Sequence, residues 1–278
     1  MLDLKATFPL PLLLEVAGIP RSTFFYQQAR LTRPDPHAEL DDAIQTVFTQ
    51  TKGRYGHRRI QRAVRASGHR VTKTTVLKRM HALGLRCQVR RRKPFTTYRG
   101  EIGQQAPNRL NRAFRATKPN QKWATDVTEF RLGEEKLYLA PVMDLYDRQI
   151  IAYTTGRAPN LALATGALRT ALTTLGPTDH PLVHSDQGFQ YQHRQWHALL
   201  ATAGATPSMS RKGNCLDNAV IESFFGHLKS ELLLERFPTI AALDTAIHAY
   251  IHWYNHERTS STLKGLSPVQ YRAQSLVP

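Results

Sequence analysis

Three acidic residues occupy positions in this sequence where a charged side chain is unusual. Asp126 lies inside a β-rich run, Asp186 directly follows the apolar run 181–185, and Glu222 interrupts the apolar stretch 219–225. A buried or half-buried carboxylate costs several kcal/mol unless it is paired or binds a metal. These three residues are therefore the first candidates for chemistry.

Carboxylates are the ligands that hard cations such as Mg²⁺ and Mn²⁺ prefer in proteins. If the three acids converge, they form a metal site. Residue types and spacing do not show that they converge, and the other interpretation is that each acid pairs with a neighbouring basic side chain.

The sequence pattern around these acids predicts alternating strands and helices. The predicted strands are 123–130, 136–142, 149–155, 181–185 and 206–210, and the predicted helices are 161–175, 196–203, one from 216 onward and a tail helix at 240–254. This order predicts a mixed α/β layer architecture. Asp186 then lies at the carboxyl end of a strand, where α/β folds place their sites.

The charge of the chain is concentrated in its first part. The 278 residues include 38 Lys and Arg against 21 Asp and Glu, a net charge of +17. Residues 1–122 carry a net +18 and residues 123–278 a net −1, and there is no acid between Asp42 and Glu101. Such a basic block indicates a polyanionic partner, nucleic acid before an anionic membrane.

Within the basic block, two helices separated by a short turn are predicted. Ile60, Ala63 and Val64 line the first, and Thr72 caps a second that ends near Gly84. This pattern is typical of a helix-turn-helix, whose second helix enters the DNA major groove. The candidate DNA-binding residues are Arg58, Arg59, Arg62, Lys73, Thr74 and Thr75, with Arg91 and Arg92 of the following basic run.

Two other classes of protein are disfavoured by the sequence. Cys87 and Cys215 cannot form a disulfide framework or a cysteine-based zinc module, which favours a reducing compartment. The longest apolar run, 10–16, is far short of the ~20 residues of a membrane-spanning helix. We therefore expect a cytoplasmic protein with no membrane partner.

The local sequences around the three acids resemble those of a known family. They are WATDVT around Asp126, HSDQG around Asp186 and NCLDNAVIESFF around Glu222. These resemble the acid motifs of the insertion-sequence transposases in the retroviral-integrase (DDE) superfamily. Thirty-five residues separate Asp186 from Glu222, as is characteristic of that family, and Lys229 follows Glu222 by two helical turns, as a basic residue does there.

The resemblance extends over nearly the whole chain and is greatest to orfB-type transposases. GRYGHRRI at 53–60 resembles the helix-turn-helix-like segment before the catalytic core, and FGHLKSE at 225–231 with WYN at 253–255 resembles the C-terminal region. The expected organisation is a helical segment at 1–34, a DNA-binding domain at 35–93, a basic linker at 94–118, a catalytic core at 119–231 and a helical tail at 232–278.

The resemblance implies a fold and a reaction. The fold is a ribonuclease-H-like core, a mixed five-stranded sheet with helices, preceded by a helical helix-turn-helix-like domain. Asp126, Asp186 and Glu222 are implied to hold two Mg²⁺ (or Mn²⁺) ions roughly 3.5–4 Å apart. Water then cuts at the element end, and the freed 3′-hydroxyl attacks target DNA. Lys229 is implied to contact a phosphate near the metals.

The resemblance also implies partners. They are DNA at the element ends and at the target, further copies of the chain on DNA, and the upstream-frame transposase product, either separate or fused by frameshifting. The corresponding location is the nucleoid of a prokaryotic cell.

Two further functions stay open at this point: a metal-dependent nuclease without strand transfer, and a DNA-binding regulator without enzymatic activity. The histidines at four-residue spacing on the tail helix, His248, His252 and His256, are compatible with a metal face or with a solvated or DNA-facing side.

Overall fold

The computed structural model describes residues 3–31, 36–87, 105–211, 215–232 and 237–276. The chain divides into two compact units, Met1–Arg86 and Cys87–Pro278. Among the helices of the described residues, none is long and apolar enough to cross a membrane.

The first unit is helical. Its α-helices are α1 (Leu10–Ala17), α2 (Arg21–Leu31), α3 (Ala38–Gln50), α4 (His57–Ala66) and α5 (Lys73–Ala82). Helices α3, α4 and α5 pack on one another through Ile44, Ile60, Val64, Val76 and Met80, all of which are buried. Burial of this apolar stripe, at helical spacing, is what stabilises the three-helix arrangement.

The predicted helix–turn–helix is formed by α4 and α5. The Thr72 hydroxyl accepts a hydrogen bond from the Thr75 amide (3.2 Å) and so caps α5, as predicted. The Gln61 side chain donates to the Val71 carbonyl (3.1 Å), which fixes the turn against α4. Arg79 pairs with Asp41 and holds α5 on α3.

The second unit contains a mixed sheet and helices. Its strands are β1 (Lys122–Thr125), β2 (Thr128–Leu132), β3 (Glu135–Asp144), β4 (Ile150–Gly156), β5 (Leu182–Ser185) and β6 (Thr206–Met209). Its helices are α6 (Leu161–Leu172), α7 (Phe189–Gln192), α8 (Arg194–Thr202), α9 (Ala219–Leu232), α10 (Ile240–His256) and α11 (Pro268–Leu276). The predicted order of strands and helices is confirmed, while α7 and α11 were not predicted.

The six strand segments form five positions in the sheet, as expected. Strand β3 pairs antiparallel with β4 on one side and with β1 and β2 on the other, and β1, β5 and β6 run parallel. Strands β1 and β2 share one register with β3, since Thr125 pairs with Val142 and Thr128 with Leu139. They are therefore the two halves of the single strand predicted at 123–130.

The interruption between β1 and β2 falls at Asp126. The shared register places Asp126 opposite Pro141 of β3. Proline has no amide hydrogen and cannot donate a ladder hydrogen bond, so the pairing is weakened at this point. A charged residue at the interruption can turn out of the sheet without breaking a regular strand.

Helices cover both faces of the sheet. Consecutive strand residues point to opposite faces, so that Leu139 packs in a core with α9 and α10, and Ala140 in a core with α6 and α8. Burial on both faces explains why β3 is almost continuously apolar.

Candidate active site

Asp126 and Asp186 follow the carboxyl ends of neighbouring parallel strands. Ala124 of β1 pairs with His184 of β5, and each acid comes two residues later, so the two acids are level at one edge of the sheet. One oxygen of Asp126 accepts a hydrogen bond from the Val127 amide (2.7 Å). These contacts fix the predicted pair of acids side by side.

The backbone just after Asp186 holds its carboxylate through a hydrogen bond. The Gly188 amide donates a hydrogen bond to one Asp186 oxygen (2.8 Å). A Cβ atom at position 188 would lie 2.9 Å from that oxygen and 2.7 Å from the side-chain nitrogen of Gln190. A larger residue at this position would therefore require the Gln190 side chain or the Asp186 carboxylate to shift.

Asp126 interacts electrostatically with the other three residues predicted for the catalytic core, Asp186, Glu222 and Lys229. Burial raises the pKa of Asp126 well above its ordinary value, and the negative charges of Asp186 and Glu222 raise it further. The Val127 hydrogen bond and the positive charge of Lys229 act in the opposite direction. Burial likewise raises the pKa of Asp186.

Glu222 and Lys229 lie on one face of α9, two turns apart, and both are half-buried. The Lys229 ammonium lies 5.3 Å from the centre of the Phe130 ring, whose side chain is buried in β2. This cation–π contact positions a positive charge close to the acidic pair.

The negative charges of Asp186 and Glu222 add to the burial that raises the pKa of Asp126, so the three carboxylates repel one another. A bound divalent cation would relieve this repulsion, and the group of carboxylates therefore fits such a cation. Among the described residues, no three His, Cys, Asp or Glu side chains form a closed set of metal ligands. Asp126 is thus close to the charge of each of the other two acids, but the three do not make a preformed cage.

The second unit, called the catalytic unit below, matches two family models, both described as an integrase core domain, over residues 116–215 and 222–276. Residues 36–93 match the model of an HTH-like domain. The chain is 44% identical over 277 residues to the putative transposase InsK for insertion sequence element IS150 of Escherichia coli K12, across 99% of this chain and 98% of that protein. The chain belongs to the insertion-sequence transposases of the DDE integrase superfamily.

This transposase is also 42% identical over 272 residues to the probable transposase for insertion sequence element IS1353 of Shigella flexneri, covering 97% of this chain and 53% of that protein. A solved structure of the simian T-cell lymphotropic virus intasome in complex with PP2A regulatory subunit B56 gamma matches with a TM-score of 0.50 and 18% identity, over 84% of this chain and 76% of that chain. At this identity the match concerns the fold alone. The predicted family, the integrase-type α/β core and the assignment to the DDE polynucleotidyl transferases are confirmed.

Tyr191 of the transposase is a further residue of the site that the sequence patterns did not single out. Its side chain is fully buried, with the phenol 3.5 Å from the Thr125 hydroxyl and the ring edge-on to Trp196. Burial and the charges of Asp126 and Asp186 raise the pKa of Tyr191 well above its ordinary value. The phenol therefore stays neutral beside the two acids.

His184 lies in β5, two residues before Asp186, and its ring contacts two serines of the neighbouring chain segment. Its buried ring nitrogens lie 2.8 Å from the Ser208 hydroxyl and 3.1 Å from the Ser210 hydroxyl. Burial lowers the pKa of His184 to about 4, so the ring is neutral at neutral pH. These contacts give His184 a structural hydrogen-bonding role.

The C-terminal helices hold the transposase core through buried polar contacts. Glu231 of α9 accepts hydrogen bonds from Arg258 (2.6 and 2.9 Å) and from the Tyr250 hydroxyl of α10 (2.8 Å). The Asn255 side chain exchanges two hydrogen bonds with the backbone of Ile150 (2.9 and 3.0 Å).

Two more buried acids, Asp144 and Asp147, are paired rather than catalytic. Both accept hydrogen bonds from Arg272 of α11. Arg148, which directly follows Asp147, instead donates to the Phe114 carbonyl (3.0 Å). The partner of both acids therefore comes from the distant C-terminal helix.

The predicted DNA-binding side chains of the first unit differ in exposure. Arg58, Arg62, Lys73 and Thr74 are exposed. Arg59 is half-buried over the Tyr55 ring (5.4 Å), and Thr75 is half-buried in the α5 cap. Arg91 and Arg92 lie outside the described residues.

The histidine face of α10 holds no closed metal-ligand set among the described residues. His248 contacts the Tyr153 hydroxyl (2.7 Å), and the rings of His252 and His256 stack at 4.5 Å. The three side chains are exposed.

Proposed function

We propose that this transposase cuts DNA at the ends of its insertion sequence and joins the freed 3′-hydroxyl to target DNA, with Asp126, Asp186 and Glu222 as the catalytic residues. The observation that carries the proposal is the electrostatic proximity of Asp126 to Asp186, Glu222 and Lys229 at the carboxyl edge of the parallel strands. Ligand sites of α/β folds lie at this edge.

The three acids are also the residues that would hold divalent metal, Mg²⁺ or Mn²⁺, with two ions expected. The chemistry that bound metal supplies is activation of the attacking oxygen and stabilisation of the leaving oxygen at phosphorus. The all-oxygen donor set and the raised pKa of Asp126 support this assignment.

The surrounding side chains and amides have positioning roles. The Val127 and Gly188 amides each hold one oxygen of an acid, which leaves the other oxygen of Asp126 and of Asp186 for a ligand. The Lys229 ammonium, held over the Phe130 ring, would contact a DNA phosphate beside them. Tyr191 closes the buried side of the pair with a neutral group.

DNA binding by the first unit is assigned to its helix-turn-helix. The exposed residues Lys73 and Thr74 in the first turn of α5 would face the bases, and Arg58 and Arg62 of α4 would contact phosphates. Arg59, Thr75, Arg91 and Arg92 complete the proposed set. A basic surface of this kind supplies affinity that falls steeply with salt.

Two protein partners are part of the proposal. Further copies of the transposase would assemble on DNA, and the upstream-frame product would supply additional end recognition.

The deciding experiment supplies the purified transposase with Mg²⁺, a pre-cut duplex carrying the end of its own insertion sequence, and a supercoiled target plasmid. Joined products support the proposal. Nicked plasmid without joined products indicates a nuclease, and binding without any strand breakage indicates a regulator. Either of these two results contradicts strand transfer as the activity.

A further inference from the structure

A second polar cluster lies in the catalytic unit, centred on the side chain of Asp217, which is fully buried. Arg211 donates to both carboxylate oxygens (2.9 and 3.0 Å) and also through its backbone amide (3.2 Å). Arg112 donates through Nε (2.9 Å), and the Asn108 side chain donates through Nδ2 (2.8 Å). Two guanidinium groups are thus held on one carboxylate.

This cluster lies at the same edge of the sheet as the catalytic acids. Ser185 of β5 pairs with Met209 of β6, so Asp186 and Ser210 are level and Arg211 is the next residue. Asp217 belongs to the 3-10 turn that leads directly into α9, five residues before Glu222. Adjacent strands are about 4.8 Å apart, so the cluster is roughly two strand spacings from Asp126.

The guanidinium groups are open to solvent although their partner is buried. The side chains of Arg112 and Arg211 are 44% and 55% exposed, whereas Asp217 is 0% exposed. The ion pair between Arg258 and Glu231 is enclosed, with exposures of 5% and 6%. The two guanidinium groups of the Asp217 cluster are therefore accessible to a ligand in solvent.

The hydrogen bonds of the cluster leave donors unused. Within the described part of the chain, the Nη1 group of Arg211 and both Nη groups of Arg112 have no hydrogen-bond partner. Two positive charges against one negative charge leave the cluster with a net charge of +1. Rigid, partly unsatisfied guanidinium groups match the geometry of phosphate oxygens.

The backbone that carries Arg112 is fixed to the same strand. The Ser208 hydroxyl accepts hydrogen bonds from the Arg109 and Leu110 amides (3.0 and 3.1 Å), and the Leu110 side chain is buried in the core. Residues 105–118 contain no acid and four exposed basic side chains: Arg109, Arg112, Arg115 and Lys118. The surroundings therefore favour a polyanion over an acidic or neutral ligand.

We infer that Arg112 and Arg211, held by Asp217, form a clamp for a phosphodiester of the DNA backbone beside the catalytic acids. The clamp reads no sequence, because its donors suit phosphate oxygens and carry no base information. It rests on the proposed function, since it serves to hold the DNA on which the acids act. Neither arginine was among the DNA-binding residues predicted from the sequence.

The test measures binding of the full chain to two 30-base-pair duplexes of unrelated sequence, by fluorescence anisotropy at several salt concentrations. The double variant Arg112→Gln/Arg211→Gln should bind both duplexes about 10- to 50-fold more weakly at 0.1 M salt, and its salt slope should fall by about 2. Arg169→Gln is the matched control, because Arg169 is an exposed arginine on α6, on the opposite face of the sheet. It should change neither quantity by a comparable amount.

Equal affinity and equal slope in the double variant and the Arg169→Gln control overturn the clamp. A loss restricted to one duplex also overturns it, because that result indicates base reading. If the double variant lacks the cooperative unfolding of the wild type, Arg112→Gln alone decides, since Arg211 still pairs with Asp217 in it. Its slope should fall by about 1.

The same wild-type preparation is assayed for joining. If it binds both duplexes but does not join the pre-cut insertion-sequence end to the target plasmid, the proposed function fails while the clamp is still tested by the salt slopes. If it joins DNA and the variants keep the wild-type slope, the clamp alone fails.

Discussion

Burial raises the pKa of Asp126, and the negative charge of Asp186, its neighbour at the end of the adjacent parallel strand, raises it further. Burial of Asp126 strengthens the effect, because charges interact more strongly where water is excluded. Two buried acids held this close are costly to the fold, and the cost is explained if they serve a ligand.

Loss of a single carboxylate should abolish strand transfer. In Asp126→Asn, Asp186→Asn and Glu222→Gln, we expect Mg²⁺-dependent joining to fall by about 10³-fold or more, since metal catalysis contributes several kcal/mol and each 1.36 kcal/mol is a factor of ten. Duplex binding should stay within a few fold of the wild type, because the basic residues are unchanged. Joining at the wild-type rate in any one variant would exclude that residue from the catalytic set.

Removing the charge of Asp126 should stabilise the metal-free protein. The raised pKa means that the folded protein holds this proton more tightly than the unfolded chain, whose pKa is near 3.8. The stability that the group contributes is therefore present at low pH and lost as the pH rises through the folded-state pKa. At pH 8 in EDTA, Asp126→Asn should melt a few degrees above the wild type.

Added Mg²⁺ should make the wild type more stable than Asp126→Asn. It should raise the melting temperature of the wild type, which keeps all three acids, by more than that of Asp126→Asn. Calorimetry with and without metal provides the measurement, with the exposed Glu135→Gln as a control for charge removal. A melting temperature of Asp126→Asn below that of the wild type in EDTA would contradict the proposed repulsion.

The order of strands and helices was predictable because each element has a clear apolar period and a clear end. Thr72 caps α5 as its sequence context indicates, and the run 181–185 is a strand that ends at Asp186. The acids could be found for the same reason, since each interrupts an otherwise apolar element.

Other features depend on contacts between residues far apart in the sequence. The interruption at Asp126 lies opposite Pro141 of another strand, and the clamp joins Arg112 to Asp217 across 105 residues. Helix α11 is polar on much of its surface and is held by Arg272 on Asp144 and Asp147. No local pattern carries such pairings, so they could not be predicted from one sequence.

Lowering the pH should destabilise the catalytic unit, because the buried ring of His184 becomes protonated. Its pKa is about 4 in the folded protein and near 6.5 in the unfolded chain, so protons favour the unfolded state as the pH falls through this window. The contribution is present above pH 6.5 and amounts to about 3 kcal/mol of stability lost by pH 4, at 1.36 kcal/mol for each pH unit.

The measurement is urea unfolding followed by tryptophan fluorescence, because Trp123, Trp196 and Trp253 all lie in the catalytic unit. His184→Gln should be less stable than the wild type at pH 7.5 but should lose less stability between pH 6.5 and 4. The comparison is with His248→Gln, which removes an exposed ring instead of the buried one. An unchanged pH dependence in His184→Gln would show that this ring is not the source.

The buried pair between Glu231 and Arg258 should be sensitive to removal of one partner and tolerant of removal of both. Arg258→Met leaves the Glu231 carboxylate buried with the Tyr250 hydroxyl, and loss of one partner of a buried pair costs about 3–5 kcal/mol. In Glu231→Leu/Arg258→Met no buried charge is left uncompensated, so most of that stability should return. Urea unfolding by tryptophan fluorescence gives all four corners of this double-mutant cycle. A double variant as unstable as the sum of the two single variants would mean that the side chains do not interact, and that α10 is held on α9 by apolar packing alone.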